Sequence, residues 1–260
     1  MSEPILALDS VTMRIAGLTA MDQVSFLVHP GEVLSLIGPN GAGKTTTFNV
    51  ISGYMRPTAG RIRLFGKTVV GLSPDQIAKR GLVRSFQRTS VFAGCTVFEN
   101  ILTALHLQGG AGVLASLLRT PAFGREERSL REQTHEILEF LGLQNRADLP
   151  ASNLSYGDQR MLGVGLALAA KPKVLLLDEP AAGLNPSETE SFKASVRRIC
   201  DRGVTVVLVE HDMHMVMSIS DRIVVLNYGK VIAEGSPQAI QQDPEVIRAY
   251  LGSGLKRAAA

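Results

Sequence analysis

A glycine-rich run is the stretch of this sequence whose residue types could most readily do chemistry. It comprises Gly38, Pro39, Asn40, Gly41, Ala42, Gly43, Lys44, Thr45 and Thr46. The apolar run Val33–Ile37, of strand length, precedes it, and a helix opens behind it, so the glycines fall in a strand-to-helix turn. Glycines there let backbone N–H groups converge on an anion at the positive end of a helix. The run therefore predicts a nucleotide polyphosphate, with Lys44 reaching the β and γ phosphates and the Thr45 hydroxyl coordinating Mg²⁺.

A pair of adjacent carboxylates, Asp178 and Glu179, follows a second apolar run, Val174–Leu177. The unbroken apolar character of that run predicts a buried parallel strand, and open α/β sheets bind ligands at the C-terminal ends of their strands. There, Asp178 would hold Mg²⁺ and Glu179 would polarise an attacking water as general base. Carboxylates in an ordinary surface loop are the alternative interpretation.

Two further positions could reach a nucleotide. His211 leaves the C-terminal end of the predicted strand Val204–Val209, from which an imidazole could contact the γ phosphate. Ser155, with Asp158 three residues on, is typical of a helix cap, and a capped helix N-terminus with a serine hydroxyl could also bind a phosphate of a nucleotide held elsewhere. A well-formed helix start without any ligand explains Ser155 equally well.

The elements that must position these residues indicate an α/β fold. Short strands, Ile5–Leu8 and Val24–Val28, predict a β layer ahead of the glycine-rich turn. From about residue 91 to 150 helix formers dominate, which predicts an inserted helical subdomain that serves either as a docking surface or as a solvated lid. A hairpin and a capped helix from Asp243 to Leu251 follow at the end of the chain.

Composition excludes several classes of protein. The 260 residues carry 27 basic and 24 acidic side chains, a net charge of +3, and no tryptophan, so binding to nucleic acid is not expected. The distant cysteines Cys95 and Cys200 fit buried thiols in a reducing compartment. We expect no export signal and a subunit that is soluble by itself, because the apolar stretches are far shorter than the roughly 20 residues of a membrane span.

Several motifs together resemble the ATP-binding cassette of ABC transporters over nearly the full chain. They are the glycine-rich turn, Gln87 after a strand, Leu-Ser-Tyr-Gly-Asp-Gln from Leu154, Leu-Leu-Leu-Asp-Glu-Pro from Leu175, and Val-Glu-His-Asp from Val209. More narrowly, the Ala-Ala-Gly-Leu-Asn-Pro run ending at Pro186 and the segment Asp243–Leu251 look like the larger ATPase subunits of branched-chain amino-acid importers. ATPases of lipopolysaccharide export or other ABC systems, and cassette ATPases without a transport role, are the alternatives.

The resemblance implies a P-loop NTPase fold with a RecA-like core, an N-terminal antiparallel β layer and an inserted helical subdomain. It implies one ABC ATPase domain over residues 1–260: a core of residues 1–88 and 160–240, a helical subdomain of residues 89–159, and a C-terminal helix and tail of residues 241–260.

The resemblance also implies roles for individual residues. The catalytic set would be Glu179, His211, Lys44 and Gln87. The nucleotide would contact the Walker A residues 38–46, with Ile15 at the position where an aromatic residue often stacks on adenine. Ser155 and Gly157 would belong to the signature that covers the ATP of another cassette. Thr45, Gln87 and Asp178 would hold Mg²⁺.

Partners follow from the same resemblance. Two cassettes, identical or paralogous, would meet head to tail and bind ATP and Mg²⁺ between them. Two transmembrane permease subunits, and indirectly a solute-binding protein, would complete an importer, with this chain peripheral on the cytoplasmic face of the inner membrane. The sequence departs from the general family pattern at Tyr156, Asp158 and Asn185 as well as at Ile15. Of these, Ile15 would offer the base apolar contact without ring stacking.

Overall fold

The structure is a computed structural model that describes residues 3–85, 91–107 and 121–257. The predicted Q-loop residue, Gln87, lies outside the described residues. The chain divides into two compact units, of which the first consists of Met1–Gln87 and Lys173–Ala260 and the second of Arg88–Pro172. Across the described residues, every helix falls short of the combined length and apolarity that a bilayer crossing demands.

Among the described residues, the strands belong to the first unit. They are β1 (Leu6–Ile15), β2 (Leu18–Val28), β3 (Val33–Ile37), β4 (Ala59–Leu64), β5 (Lys67–Thr68), β6 (Leu82–Arg84), β7 (Val174–Asp178), β8 (Thr205–Val209), β9 (Arg222–Asn227) and β10 (Lys230–Gly235). The described helices are α1 (Lys44–Ile51), α2 (Pro74–Lys79), α3 (Val97–His106), α4 (Pro121–Leu141), α5 (Tyr156–Ala169), α6 (Pro186–Asp201), α7 (Met213–Ile219), α8 (Pro237–Gln242) and α9 (Pro244–Arg257).

An antiparallel sheet in the order β2-β1-β4-β5 forms the predicted N-terminal β layer. Its first two strands run well beyond the short segments expected from the sequence, because register shifts let the pairing continue where the alternation of apolar residues breaks. Ser10 and Gln23, both with positive φ, lie at these irregularities.

A mixed sheet in the order β10-β9-β3-β8-β7-β6 forms the core of the same unit. All neighbouring strands pair in parallel except β9 and β10. Every residue of β3, β7 and β8 is buried, as expected for parallel strands covered on both faces. Phe48 of α1 is fully buried in the apolar core that this sheet shares with the β layer. Because β3, β8 and β7 are parallel neighbours, the segments that follow them begin at one edge of the sheet.

The second unit is helical. Helix α5 packs closely on α3 and α4: a Cβ added at Gly165 would lie 2.5 Å from Leu141 Cδ1 and 2.8 Å from Ile101 Cδ1. This unit, Arg88–Pro172, extends beyond residue 159, the predicted end of the helical subdomain. The difference arises because α5 buries its apolar residues against the two preceding helices and therefore belongs with them.

Candidate active site

The glycine-rich turn joins the end of β3 to the start of α1, where the sequence predicted it. Gly38 has φ +152°, and a Cβ there would lie 2.1 Å from the backbone oxygen of Leu226. Gly43 has φ +103°, and a Cβ there would lie 2.6 Å from the backbone oxygen of Ala20. Both positions therefore require glycine. Gly43 also supplies no side-chain cap to α1, so the N–H groups at this helix start can bind an anion.

Lys44 lies across the turn that precedes it. Its side chain is buried, with 6% of the residue exposed, and Nζ donates to the backbone oxygens of Gly38 at 2.6 Å and Pro39 at 3.0 Å. Burial lowers the pKa of Lys44, while the nearby carboxylates of Glu179 and Asp178 raise it. The cation contacts only two carbonyl oxygens among the hydrogen bonds of the described residues, and it can exchange them for phosphate oxygens.

Asp178 ends β7 and carries one satisfied and one unsatisfied carboxylate oxygen. Arg84 Nη2 donates to Asp178 Oδ2 at 2.5 Å, and the side chain of Asp178 is 0% exposed. Buried Oδ1 has no hydrogen-bond partner among the described residues. Since buried carboxylate oxygens are rarely left unpaired, Oδ1 fits a cation or a water bound to one.

Arg84 was not identified from the sequence. Besides Asp178, its guanidinium donates to Asn49 Oδ1 at 2.7 Å and lies 5.8 Å from the ring centroids of Phe48 and Tyr54. The available signal is an arginine at the end of a short strand that is otherwise apolar, which suggests a buried charge partner, but sequence spacing does not show that the partner is Asp178.

Glu179 and His211 meet at the edge of the sheet. Glu179 Oε1 and His211 Nε2 lie 2.9 Å apart, and the backbone N–H of Glu179 donates to the oxygen of Val209 at 2.9 Å. Glu179 has φ +47°, a left-handed conformation that is uncommon for a non-glycine residue, and it precedes Pro180. The structure thus brings together the two side chains that the sequence predicted to share one pocket.

Glu210 is a second residue that sequence analysis missed. Its carboxylate is buried between two loops, with Oε1 accepting the N–H of Ala181 at 2.7 Å and Oε2 accepting the N–H of His211 at 3.0 Å. Burial raises the pKa of Glu210, and the hydrogen bonds from the backbone amides of Ala181, His211 and Asp212 lower it. Only its position at the end of a buried strand could have drawn attention to it.

The remaining predicted site residues are distributed over both units. In the first unit, Ile15 ends β1, is 41% exposed and pairs with Leu18 across the hairpin. In the second unit, Ser155 caps α5: its Oγ accepts the N–H of Asp158 at 3.2 Å and donates to Asp158 Oδ2 at 2.7 Å, while Gly157 is buried in the first turn. Thr45 is exposed and Thr46 half-buried at the start of α1.

Comparison with known proteins identifies the family of this chain. A model described as "ABC transporter" matches residues 21–182, more than half of the chain, and one described as "Branched-chain amino acid ATP-binding cassette transporter" matches residues 230–256. The chain therefore belongs to the ABC transporter family, and it is an ATP-hydrolysing cassette. The predicted fold class, with its β layer, core sheet and helical part, is confirmed.

The similarity extends to individual proteins within the family. The chain is 47% identical to the "High-affinity branched-chain amino acid transport ATP-binding protein BraF" of Pseudomonas aeruginosa, over 97% of this chain and 99% of that protein. It is 46% identical, over the same shares, to the corresponding protein LivG of Escherichia coli (strain K12). A solved ATP-binding cassette of an ABC transporter in its ADP conformation has a TM-score of 0.84 at 32% identity, covering 96% of this chain and 100% of that one.

Proposed function

We propose that this chain is the ATP-hydrolysing subunit of an ABC importer for branched-chain amino acids or related small polar solutes. The solute class is supported by the transport function in the names of the two bacterial relatives, each aligned over almost its whole length. The hydrolytic role is supported chiefly by one observation, the 2.9 Å contact between Glu179 and His211 at the edge where the glycine-rich turn begins.

The triphosphate would bind on the turn formed by residues 38–46. Backbone N–H groups of the turn and of the first turn of α1 would donate to the phosphate oxygens, since no side chain caps this helix. Lys44 would leave the two backbone oxygens it now contacts and donate to the β and γ phosphates. Ile15 would give the base an aliphatic contact.

Mg²⁺ fits the donor set of this site. The unpaired Oδ1 of Asp178 and the hydroxyl of Thr45 are oxygen ligands of the kind this cation prefers, and Oδ1 is the atom that the described residues leave without a partner. The family resemblance adds the side-chain oxygen of Gln87. When bound, the cation supplies positive charge against the β and γ phosphate oxygens.

Glu179 would act as the general base. His211 engages its Oε1, which leaves Oε2 to accept a proton from water attacking the γ phosphorus in line. With Nε2 protonated, His211 donates to Glu179 and holds that carboxylate in place, and the same imidazole would face the γ phosphate together with Gln87. Chemistry of this kind depends mainly on positioning and on charge stabilisation.

The proposed partners follow from site residues that would act on the nucleotide of another chain. Ser155 and Gly157, at the start of α5, would cover the triphosphate of a second cassette, identical or paralogous. Two permease subunits and, through them, a solute-binding protein would complete the importer at the cytoplasmic face of the membrane. Closure on ATP and reopening after hydrolysis would drive the permeases.

The substitution Glu179→Gln tests the catalytic assignment. It keeps the size of the side chain but removes the base, so we expect steady-state ATP hydrolysis to fall by about 10²–10⁴-fold while nucleotide binding persists. Asp201→Asn, at an exposed carboxylate ending α6, is the matched control and should leave both quantities unchanged. Turnover that survives Glu179→Gln would refute the assignment.

Reconstitution tests the solute class. The complex isolated with its permeases should hydrolyse ATP faster when its binding protein is loaded with leucine, isoleucine or valine. Stimulation by an unrelated solute only, or isolation without any permease, would contradict the proposed transport role.

A further inference from the structure

We propose that Glu210 is a positioning residue that holds the turn after β7 and the loop after β8 together through its two carboxylate oxygens. The inference rests on the proposed function, because the side chains carried by those two segments are Glu179 and His211. Glu210 itself is buried, and these hydrogen bonds join its carboxylate to backbone N–H groups rather than to either of the two side chains.

The first step of the argument concerns what the carboxylate binds. Oε1 accepts the N–H of Ala181, two residues beyond Glu179, and Oε2 accepts the N–H of His211. Two amides from two separate segments thus converge on one side chain, and an ionised carboxylate satisfies convergent donors better than any neutral side chain.

The second step concerns the conformation that needs support. Glu179, at φ +47°, occupies a region that costs free energy for a residue with a side chain and persists only where its surroundings fix it. On one side its N–H is fixed to the backbone oxygen of Val209 at 2.9 Å. On the other side the turn continues through Pro180 to Ala181, whose N–H is fixed by Glu210. The Glu210 carboxylate therefore anchors the end of the turn that has no hydrogen bond to the backbone of β8 in this argument.

The third step links this turn to the reacting groups. Neighbouring strands β7 and β8 place the two loops side by side, but sheet pairing ends at Asp178 and Val209. Beyond that register, the contact between Glu179 and His211 depends on loop geometry, and the Glu210 side chain bonds to the backbone of both loops. A small displacement of catalytic groups is enough to cost about 10²-fold in rate.

Glu210→Gln is the test. The amide keeps the length of the side chain, but its N–H₂ group cannot accept a hydrogen bond, so one of the two loops loses its acceptor. We expect kcat for ATP to fall by roughly 10–100-fold, while KM and the nucleotide dissociation constant stay within about threefold of the parent. In a His211→Ala background the same change should lower single-turnover hydrolysis of radiolabelled ATP by less than about threefold, since the contact it supports is already lost.

Asp221→Asn is the matched control. Asp221 also accepts a backbone N–H at a strand end, from Val33 at 2.8 Å, and bonds Arg197 at 3.0 Å, but it supports no residue of the site. It should lower the unfolding midpoint and leave kcat within about twofold. Should Glu210→Gln fail to fold, Glu210→Asp replaces it in the same measurements, with and without His211→Ala. Its side chain is one methylene too short to join both loops.

Two results would overturn the inference. One is a folded Glu210 variant whose kcat equals that of the parent. The other is a loss of the same factor with and without His211, which would mean that Glu210 acts independently of that contact. Glu179→Gln, measured in parallel, separates the two proposals: if it keeps turnover, the proposed function fails, and if it alone abolishes turnover, only the role of Glu210 fails.

Discussion

Removing Arg84 should strongly destabilise the first unit, because its guanidinium is the ion-pair partner of a buried carboxylate. The change Arg84→Ala deletes the group that donates to Asp178 Oδ2 at 2.5 Å and to Asn49 Oδ1 at 2.7 Å. The side chain of Asp178 is 0% exposed and that of Arg84 only 14%, so water does not readily replace the lost guanidinium. A fully buried carboxylate is left without its nearest counter-ion.

The expected loss in the free energy of unfolding follows from the burial of Asp178 and Arg84. Breaking a buried ion pair by removing one partner costs about 3–5 kcal/mol, because the remaining charge is uncompensated. Contacts of the guanidinium with the rings of Phe48 and Tyr54 add roughly 0.5–1 kcal/mol each. The charge of Lys44, which is close enough to interact with Asp178, offsets part of this cost. We therefore expect a loss of about 3 kcal/mol in the free energy of unfolding.

Urea denaturation of the full chain, followed by circular dichroism, measures this loss. Arg61→Ala is the matched control, since Arg61 pairs with Asp9 at 2.9 Å but the two side chains are 74% and 40% exposed. That control should cost about 0.5 kcal/mol or less.

A second substitution identifies the cause. Asp178→Asn in the Arg84→Ala background removes the unpaired charge and should restore most of the stability. If Arg84→Ala costs no more than Arg61→Ala, or if Asp178→Asn fails to restore stability, the loss does not arise from an uncompensated carboxylate and the reasoning is wrong.

Three further experiments test other features of the chain. Gly38→Ala should abolish nucleotide binding or folding, since its Cβ would lie 2.1 Å from the backbone oxygen of Leu226. Gly41→Ala, which has open space around the new Cβ at φ +82°, should lower the free energy of unfolding by only about 1–2 kcal/mol. Comparable unfolding midpoints and ATP affinities of the two variants would contradict this. Ile15→Tyr should tighten ATP binding by about 2–10-fold through ring stacking, measured by calorimetry, and an unchanged affinity would argue against a base at this position. Burial raises the pKa of the Cys200 thiol to about 11, so at pH 8 roughly one thiol in a thousand is ionised, and iodoacetamide should label the folded chain there far more slowly than after unfolding, as followed by mass spectrometry.

The parts of the site that could be predicted from sequence are those whose signal is local. The glycine-rich turn was recognisable because strand, glycines and helix follow one another without interruption. Asp178 and Glu179 were recognisable because they follow a strand of unbroken apolar character, which fixes the edge of the sheet where they lie. His211 was placed by the same argument from a neighbouring strand.

Arg84 and Glu210 could not be predicted, because their roles depend on contacts between segments that are distant in sequence. Arg84 and Asp178 are 94 residues apart, and Glu210 and Ala181 are 29 apart. No periodicity or spacing reports such a pair, since strand order decides which residues become neighbours. The long β1 and β2 strands were underestimated for a different reason: their register shifts interrupt the alternation that predicts a strand.

Charge and geometry together explain why this edge of the sheet suits a triphosphate. Asp178, Glu179 and Glu210 bring three carboxylates to it, and each meets a different partner: a guanidinium, an imidazole and backbone amides. Lys44, at the same edge, donates to two carbonyl oxygens, which are neutral acceptors and therefore weaker partners than phosphate. A polyphosphate on the turn would thus gain Lys44 without breaking any of the three carboxylate contacts. The base and its supports can be assembled before the substrate binds, which is the condition under which positioning lowers an activation barrier.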